Sequence, residues 1–184
     1  MKANPIQKFI LKNERNLRIA AAVAESWPEA REKLVSGFLD RLKSRLTKKL
    51  KGWKFELEGT CFHGRYVNFF LWKPAWHEQY FISLHFGDYG EKMRFGVFRS
   101  EYRIKKRKFC PELLAAVGTI DPSVRSRTWW EAAIDMHSPA TDWRKPEVLW
   151  RMHTDHTFLE EVSDQLLQVA KISAPILDRL VPKK

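Results

Sequence analysis

The period of the apolar residues changes abruptly at Gly52. Before it, Val35, Phe38, Leu39, Leu42, Leu46 and Leu50 recur every three or four residues, the spacing of one helix face. After it, Trp53-Lys54-Phe55-Glu56-Leu57-Glu58 alternates apolar and charged side chains, which marks a half-buried strand. Glycine at the junction suits the left-handed cap that ends a helix. Three more short runs follow, Tyr66–Trp72, Gln79–Phe86 and Met93–Phe98, separated by the turn-forming Gly59 and Gly64, Lys73-Pro74 and Gly87-Asp88-Tyr89-Gly90. Connections this short favour antiparallel neighbours. The middle of the chain is thus expected to be a four-stranded antiparallel meander.

Helical spacing flanks it on both sides. Pro5 can open a first helix that runs through Phe9, Leu17 and Ile19 into Ala20–Ala24. Ser26-Trp27-Pro28-Glu29 reads as the start of a second, with Ser26 as cap and proline in the first turn. After the strands, Pro111–Ile120 reads as a short helix, Trp129-Trp130-Glu131 opens another, and Pro146–Met152 is a third. Phe158–Leu180 is the terminal helix, with Pro175 expected to kink or interrupt it because proline lacks the amide donor. Two helices, four strands and then helices give the α+β class, with the C-terminal helices packed on the sheet. At 184 residues, a single domain over 1–184 is long enough to bury a core without disulfides or metals. Cys61 and Cys110 are read as reduced thiols of a cytoplasmic protein. No stretch has the length and apolarity of a signal peptide or membrane span, so no membrane association is expected.

The charge is concentrated. Between Arg41 and Lys54 stand seven basic residues and no acidic one, and between Arg99 and Lys108 six more against Glu101 alone. The two windows carry +12, leaving −1 over the other 160 residues of a chain whose total is +11. Clustered charge builds a local potential of several kT and implies an anionic partner. The residues placed at that contact are Arg41, Arg45, Lys48 and Lys49 in the first window, and Arg103, Lys105, Lys106, Arg107 and Lys108 in the second. A helix advancing 100° per residue sets Arg41, Arg45 and Lys48 on a face beside the apolar stripe. An even number of antiparallel strands would return the chain to the same end of the sheet. The two windows would then lie on opposite sheet edges, three strand spacings or roughly 14 Å apart.

The stretch from Trp53 to Glu147 carries a recognisable pattern. It comprises Trp53, the aromatic strand Tyr66–Trp72, Lys73-Pro74-Ala75-Trp76, Ile82-Ser83-Leu84-His85-Phe86, Phe95-Gly96-Val97-Phe98, Trp129-Trp130 and Trp143–Glu147. It resembles the non-catalytic region that follows the catalytic core in many bacterial PD-(D/E)xK nuclease-like proteins. The resemblance implies association with nucleic-acid or defence systems; the magnesium-binding acids of that family belong to a core with no match here.

Catalytic constellations are sparse. A metal-dependent nuclease needs carboxylates on neighbouring strands and a nearby cation. Asp88 with Glu101-Tyr102-Arg103 comes closest, but Arg103 stands where that chemistry uses lysine, and a guanidinium is not a base. Glu56 and Glu58 read as a solvated strand face. His153 and His156, with Asp155, His137 and Asp142 as supplements, match no zinc spacing. Trp53, Trp72, Trp129 and Trp130 are read as core; Trp76 and Trp143, in loops beside prolines, are read as the more exposed pair, with burial against the sheet favoured over stacking on bases.

These residues lead to one expectation: a non-catalytic accessory protein of bacterial or phage defence or mobile-element systems, without a cofactor. It would contact DNA or RNA backbone phosphates without sequence preference. The alternatives are an interaction module such as a phage-encoded inhibitor or antitoxin-like partner that docks on an acidic protein surface, and a magnesium-dependent nuclease.

Overall fold

The computed structural model describes residues 4–59, 64–100 and 109–181. The change of period at Gly52 coincides with a change of element: helix α2 (Glu14–Lys49) precedes it and strand β1 (Lys54–Glu58) follows. Gly52 has φ of 80°, which only glycine adopts at little cost. A short helix, α1 (Pro5–Ile10), is capped by a reciprocal pair in which Gln7 N donates to the Asn4 side chain and Asn4 N donates to Gln7.

The helix start read at Ser26–Glu29 is not a boundary. The break falls at Leu11–Asn13, where the Asn13 side chain accepts from Asn16 N and caps α2. From there α2 runs 36 residues straight through Pro28. Proline removes the donor that would bond the carbonyl of Ala24, but both residues are exposed, so water can take that carbonyl's place. The same reason corrects Pro175, which stands exposed within the uninterrupted terminal helix.

The fold is α+β, and among the described residues its antiparallel sheet has six strands rather than four. β2 (Tyr66–Trp72), β3 (Tyr80–Gly87) and β4 (Lys92–Arg99) form the expected meander with β1. Helix α3 (Pro111–Gly118) follows, then β5 (Arg125–Arg127) and β6 (Trp130–Asp135), giving the order β1-β2-β3-β4-β6-β5. The segment read as a helix from Trp129-Trp130-Glu131 is therefore the second strand of a hairpin. β4 accounts for the override: its free edge would leave unpaired amides, and β6 pairs with them. The contact is close. Gly96 lies at φ 148°, and a Cβ there would stand 2.1 Å from the Ala132 carbonyl oxygen. A register shift at Val97/Phe98 accommodates Glu131, whose fully buried carboxylate accepts from Arg99 at 3.3 Å and from Cys110 N at 2.8 Å.

One sheet face carries Phe69, Leu71, Ile82, Leu84, Phe86, Phe95, Val97 and Ile134, all 4% exposed or less. Helices α4 (Pro146–Thr154) and α5 (His156–Leu180) complete the chain, and α5 packs on β3 and β4. Trp143 is the hub. Its ring centroid lies 5.4 Å from Phe38 of α2, 5.0 Å from Phe86 of β3 and 6.0 Å from Phe158 of α5. On the other face Phe70, Phe81, Phe98 and Trp130 form a chain of ring contacts beside a polar trio of Asn68, Ser83 and His85. Both faces of β2 and β3 are buried, so neither strand alternates apolar with exposed positions, and the polar Asn68, Ser83 and His85 within them bond one another.

Lys54 pairs with Trp72 and Tyr80 with Arg99, so the chain does enter and leave the four-strand unit at one end of the sheet. The placement on opposite edges is corrected: β1 is an edge, whereas β4 is covered by β6.

Candidate nucleic-acid interface

The last turns of α2 build the site. Phe38, Leu39, Leu42 and Leu46 are buried against the core, which fixes the helix's rotation. That rotation sends Arg41, Ser44, Arg45, Lys48 and Lys49 to one side, where they line an open groove of ≈ 590 Å³ together with Asp40 and, from α5, Leu159. The spacing four, three and one between Arg41, Arg45, Lys48 and Lys49 gathers all four cations on that side.

They are not equivalent. The Arg41 guanidinium donates to the carbonyl oxygen of Met152 near the end of α4, and so helps to cap that helix. Arg45 stands 3.2 Å from Glu160 on α5 and is half-buried. Lys48 and Lys49 are exposed and form no ion pair among the described residues. They occupy the last turn of α2, where positive charge also complements the helix dipole. The groove therefore has a fixed inner half, held by two arginines, and a free outer half of two lysines. Asp40 and Glu160 offset part of the positive charge.

Arg103, Lys105, Lys106, Arg107 and Lys108 lie outside the described residues, as do Cys61 and Glu101. Sequence reasoning missed Ser44, Asp40, Leu159 and Glu160. Ser44 was readable, three residues after Arg41 and four before Lys48 on one helix. Leu159 and Glu160 were not, because only tertiary packing brings α5 alongside α2.

The remaining candidates disperse into structural roles. Asp88 (φ 47°) is 2.8 Å from Lys92 and 3.4 Å from Arg65, and the hydrogen bond from Lys92 holds its carboxyl below the usual range. Glu56 and Glu58 are exposed on β1. His153 packs beside Trp150, and Asp155 caps α5 by accepting from Thr157 N at 2.8 Å. His137 lies 2.8 Å from Asp121, and Asp142 is held by Arg144. Among the described residues, no three His, Cys, Asp or Glu side chains gather where they could hold a metal ion.

The tryptophan reading holds for Trp72 and Trp130, which are buried, and is corrected for Trp129 and for the relative exposure of Trp76 and Trp143. Trp76 and Trp143 have no exposed surface, while Trp129 is 43% and Trp150 65% exposed. Trp76 is drawn in because its indole N–H finds Asp178 at 2.8 Å while its ring packs 5.0 Å from Trp53. Trp129 sits in the turn of the β5–β6 hairpin, where its carbonyl accepts from Arg99 N at 2.8 Å. Among the described residues, no helix is long and apolar enough to cross a membrane. Comparisons with protein-family models, curated proteins and solved structures return no match to this chain.

Proposed function

We propose that the protein binds the phosphate backbone of nucleic acid, without catalysis and without sequence preference, through the α2 groove. One observation carries the reading: four cations from a single helix line one open groove, and two of them, Lys48 and Lys49, have no ion pair among the described residues to occupy them. Phosphates reward such a cluster by counterion release. Arg41 and Arg45 are already oriented by Met152 and Glu160, so they present guanidinium edges at small entropic cost. The resemblance of Trp53–Glu147 to the non-catalytic region of nuclease-like proteins supports an accessory place in bacterial or phage defence or mobile-element systems.

The test reverses the two free lysines and leaves the structural arginines alone. Lys48→Glu with Lys49→Glu should weaken binding to a duplex or single strand of mixed sequence at least tenfold, measured by fluorescence anisotropy at fixed salt. The circular dichroism spectrum should not change. Equal affinity of variant and parent would sink the groove as the contact. If the parent binds no nucleic acid but retains a protein partner from nuclease-treated lysate, the groove serves an acidic protein surface instead.

A further inference from the structure

Among the described residues, α2 contributes no buried side chain to the core before Val35. Every described residue from Asn4 to Ala30 is exposed or only half-buried, and the first buried position of α2 is Val35. α1 folds back on this arm, with Asn16 Nδ2 donating to the Phe9 carbonyl at 2.7 Å. Between the two helices runs an apolar groove lined by Ile6, Phe9, Ile10, Ile19, Val23 and Trp27. Ile6 is 68% exposed, Val23 59% and Phe9 55%. An isolated amphipathic hairpin gains little from propensity alone and relies on burying its apolar face.

We infer that the arm pairs with the arm of a second copy of this chain, antiparallel, across a two-fold axis near Val23. The charge pattern selects this occupant. Toward the tip stand Lys8, Lys12, Arg15 and Arg18 with Glu14 alone opposing; just past the centre stand Glu25 and Glu29, with Glu32 beyond them between Arg31 and Lys33. Arg18 lies five residues before Val23, and Glu25 and Glu29 lie two and six after it. An antiparallel pair centred on Val23 thus sets Arg18 of each copy between Glu25 and Glu29 of the other. The same register places Trp27 of one copy over Ile19 of the other, since each lies four residues from the axis. Ala20, Ala21, Ala22 and Ala24 around the centre let the backbones approach closely. Each copy would cover on the order of 500 Å² of apolar surface, so the pair reaches about 1,000 Å², where specific interfaces begin. An anionic membrane surface fits less well, because the glutamates at the base border the same apolar face.

This inference does not depend on the nucleic-acid reading, and it is tested on nuclease-treated protein of low 260 nm absorbance. Sedimentation velocity over roughly 1–100 µM should show a concentration-dependent dimer. Val23→Glu, at an exposed position remote from the core, should weaken it at least tenfold with unchanged circular dichroism. Two charge variants make the geometry decisive. Arg15→Glu with Arg18→Glu gives an arm acidic at both ends, and Glu25→Arg with Glu29→Arg gives one basic at both ends. Each alone should be monomeric, and an equimolar mixture should recover the dimer. A parent that stays monomeric throughout, a dimer indifferent to all three variants, or a mixture that fails to recover would each overturn the proposal. Flotation of a monomeric parent with phosphatidylserine vesicles would overturn it too, by naming a lipid surface as the occupant.

Discussion

His85 shows how a single side chain couples the sheet to pH. Its Nδ1 lies 2.8 Å from Asn68 Oδ1, which also accepts from the Ser83 hydroxyl at 3.1 Å, while Asn68 Nδ2 donates to Glu58 at 3.2 Å. Burial pushes the imidazole pKa down to about 4; Arg94 pushes the same way, and Asp88 opposes them. The unfolded chain takes up this proton near 6.5 and the folded one only near 4, so the unfolded state gains protons first as pH falls. Stability is therefore intact above 6.5 and declines by up to roughly 3 kcal/mol between 6.5 and 4. His85→Gln should flatten that decline in urea melts at pH 7.0 and 4.5; parallel declines would remove His85 as the cause. Gly96 makes a steric point of the same kind. Gly96→Ala sets a methyl against the Ala132 carbonyl in a backbone region closed to alanine, and should cost roughly 3 kcal/mol or more. A denaturation midpoint equal to the parent's would contradict the close β4–β6 approach.

At the scale of elements, α2 is one helix with two different supports. From Val35 onward it is held by burial of Phe38, Leu39, Leu42 and Leu46. Ahead of that it rests on propensity, on the Asn13 cap and on i,i+4 ion pairs such as Glu14–Arg18 and Glu29–Lys33. Exposed pairs of this kind contribute only tenths of a kcal/mol. Pro28 interrupts the hydrogen-bond ladder within the weaker part. Pro28→Ala restores the donor for Ala24 and should slow amide exchange across residues 20–30, while the global melting temperature stays nearly constant. An equal rise in both would mean that the arm unfolds together with the core rather than ahead of it. The β5–β6 hairpin has the opposite history. The residues of β6 read as helical in isolation, and the exposed edge of β4 converts them to strand.

For the whole molecule, the charge map separates into three regions with different partners. Outside the two basic windows the chain is close to neutral, the α2 groove gathers four cations, and the arm is basic at its tip and of mixed sign toward its base. If the groove neutralises four phosphates of a duplex, log K should fall against log salt with a slope of roughly −3.6, and the Lys48, Lys49 double variant should lose about half of it. Pairing of the arms would join two such grooves in one particle and raise the apparent affinity for long strands beyond that of either. Short oligonucleotides, too small to span both, would not show the gain.

The sequence by itself determined the α+β class, the helix face from Val35 to Leu46, the first four strands and the clustering of basic residues on α2. Each rests on a local period that the chain carries whatever its surroundings. Only the tertiary structure decided that β6 adds to β4, that Trp76 and Trp143 are interior, that Arg45 meets Glu160, and that residues 14–30 continue α2 as an unpacked arm. Those outcomes depend on which distant surface is available to bury a ring, pair an edge or answer a charge. Gly52 marks the difference well: its change of period fixed where helix gives way to strand, but not that four cations just before it would face α5 across an open groove.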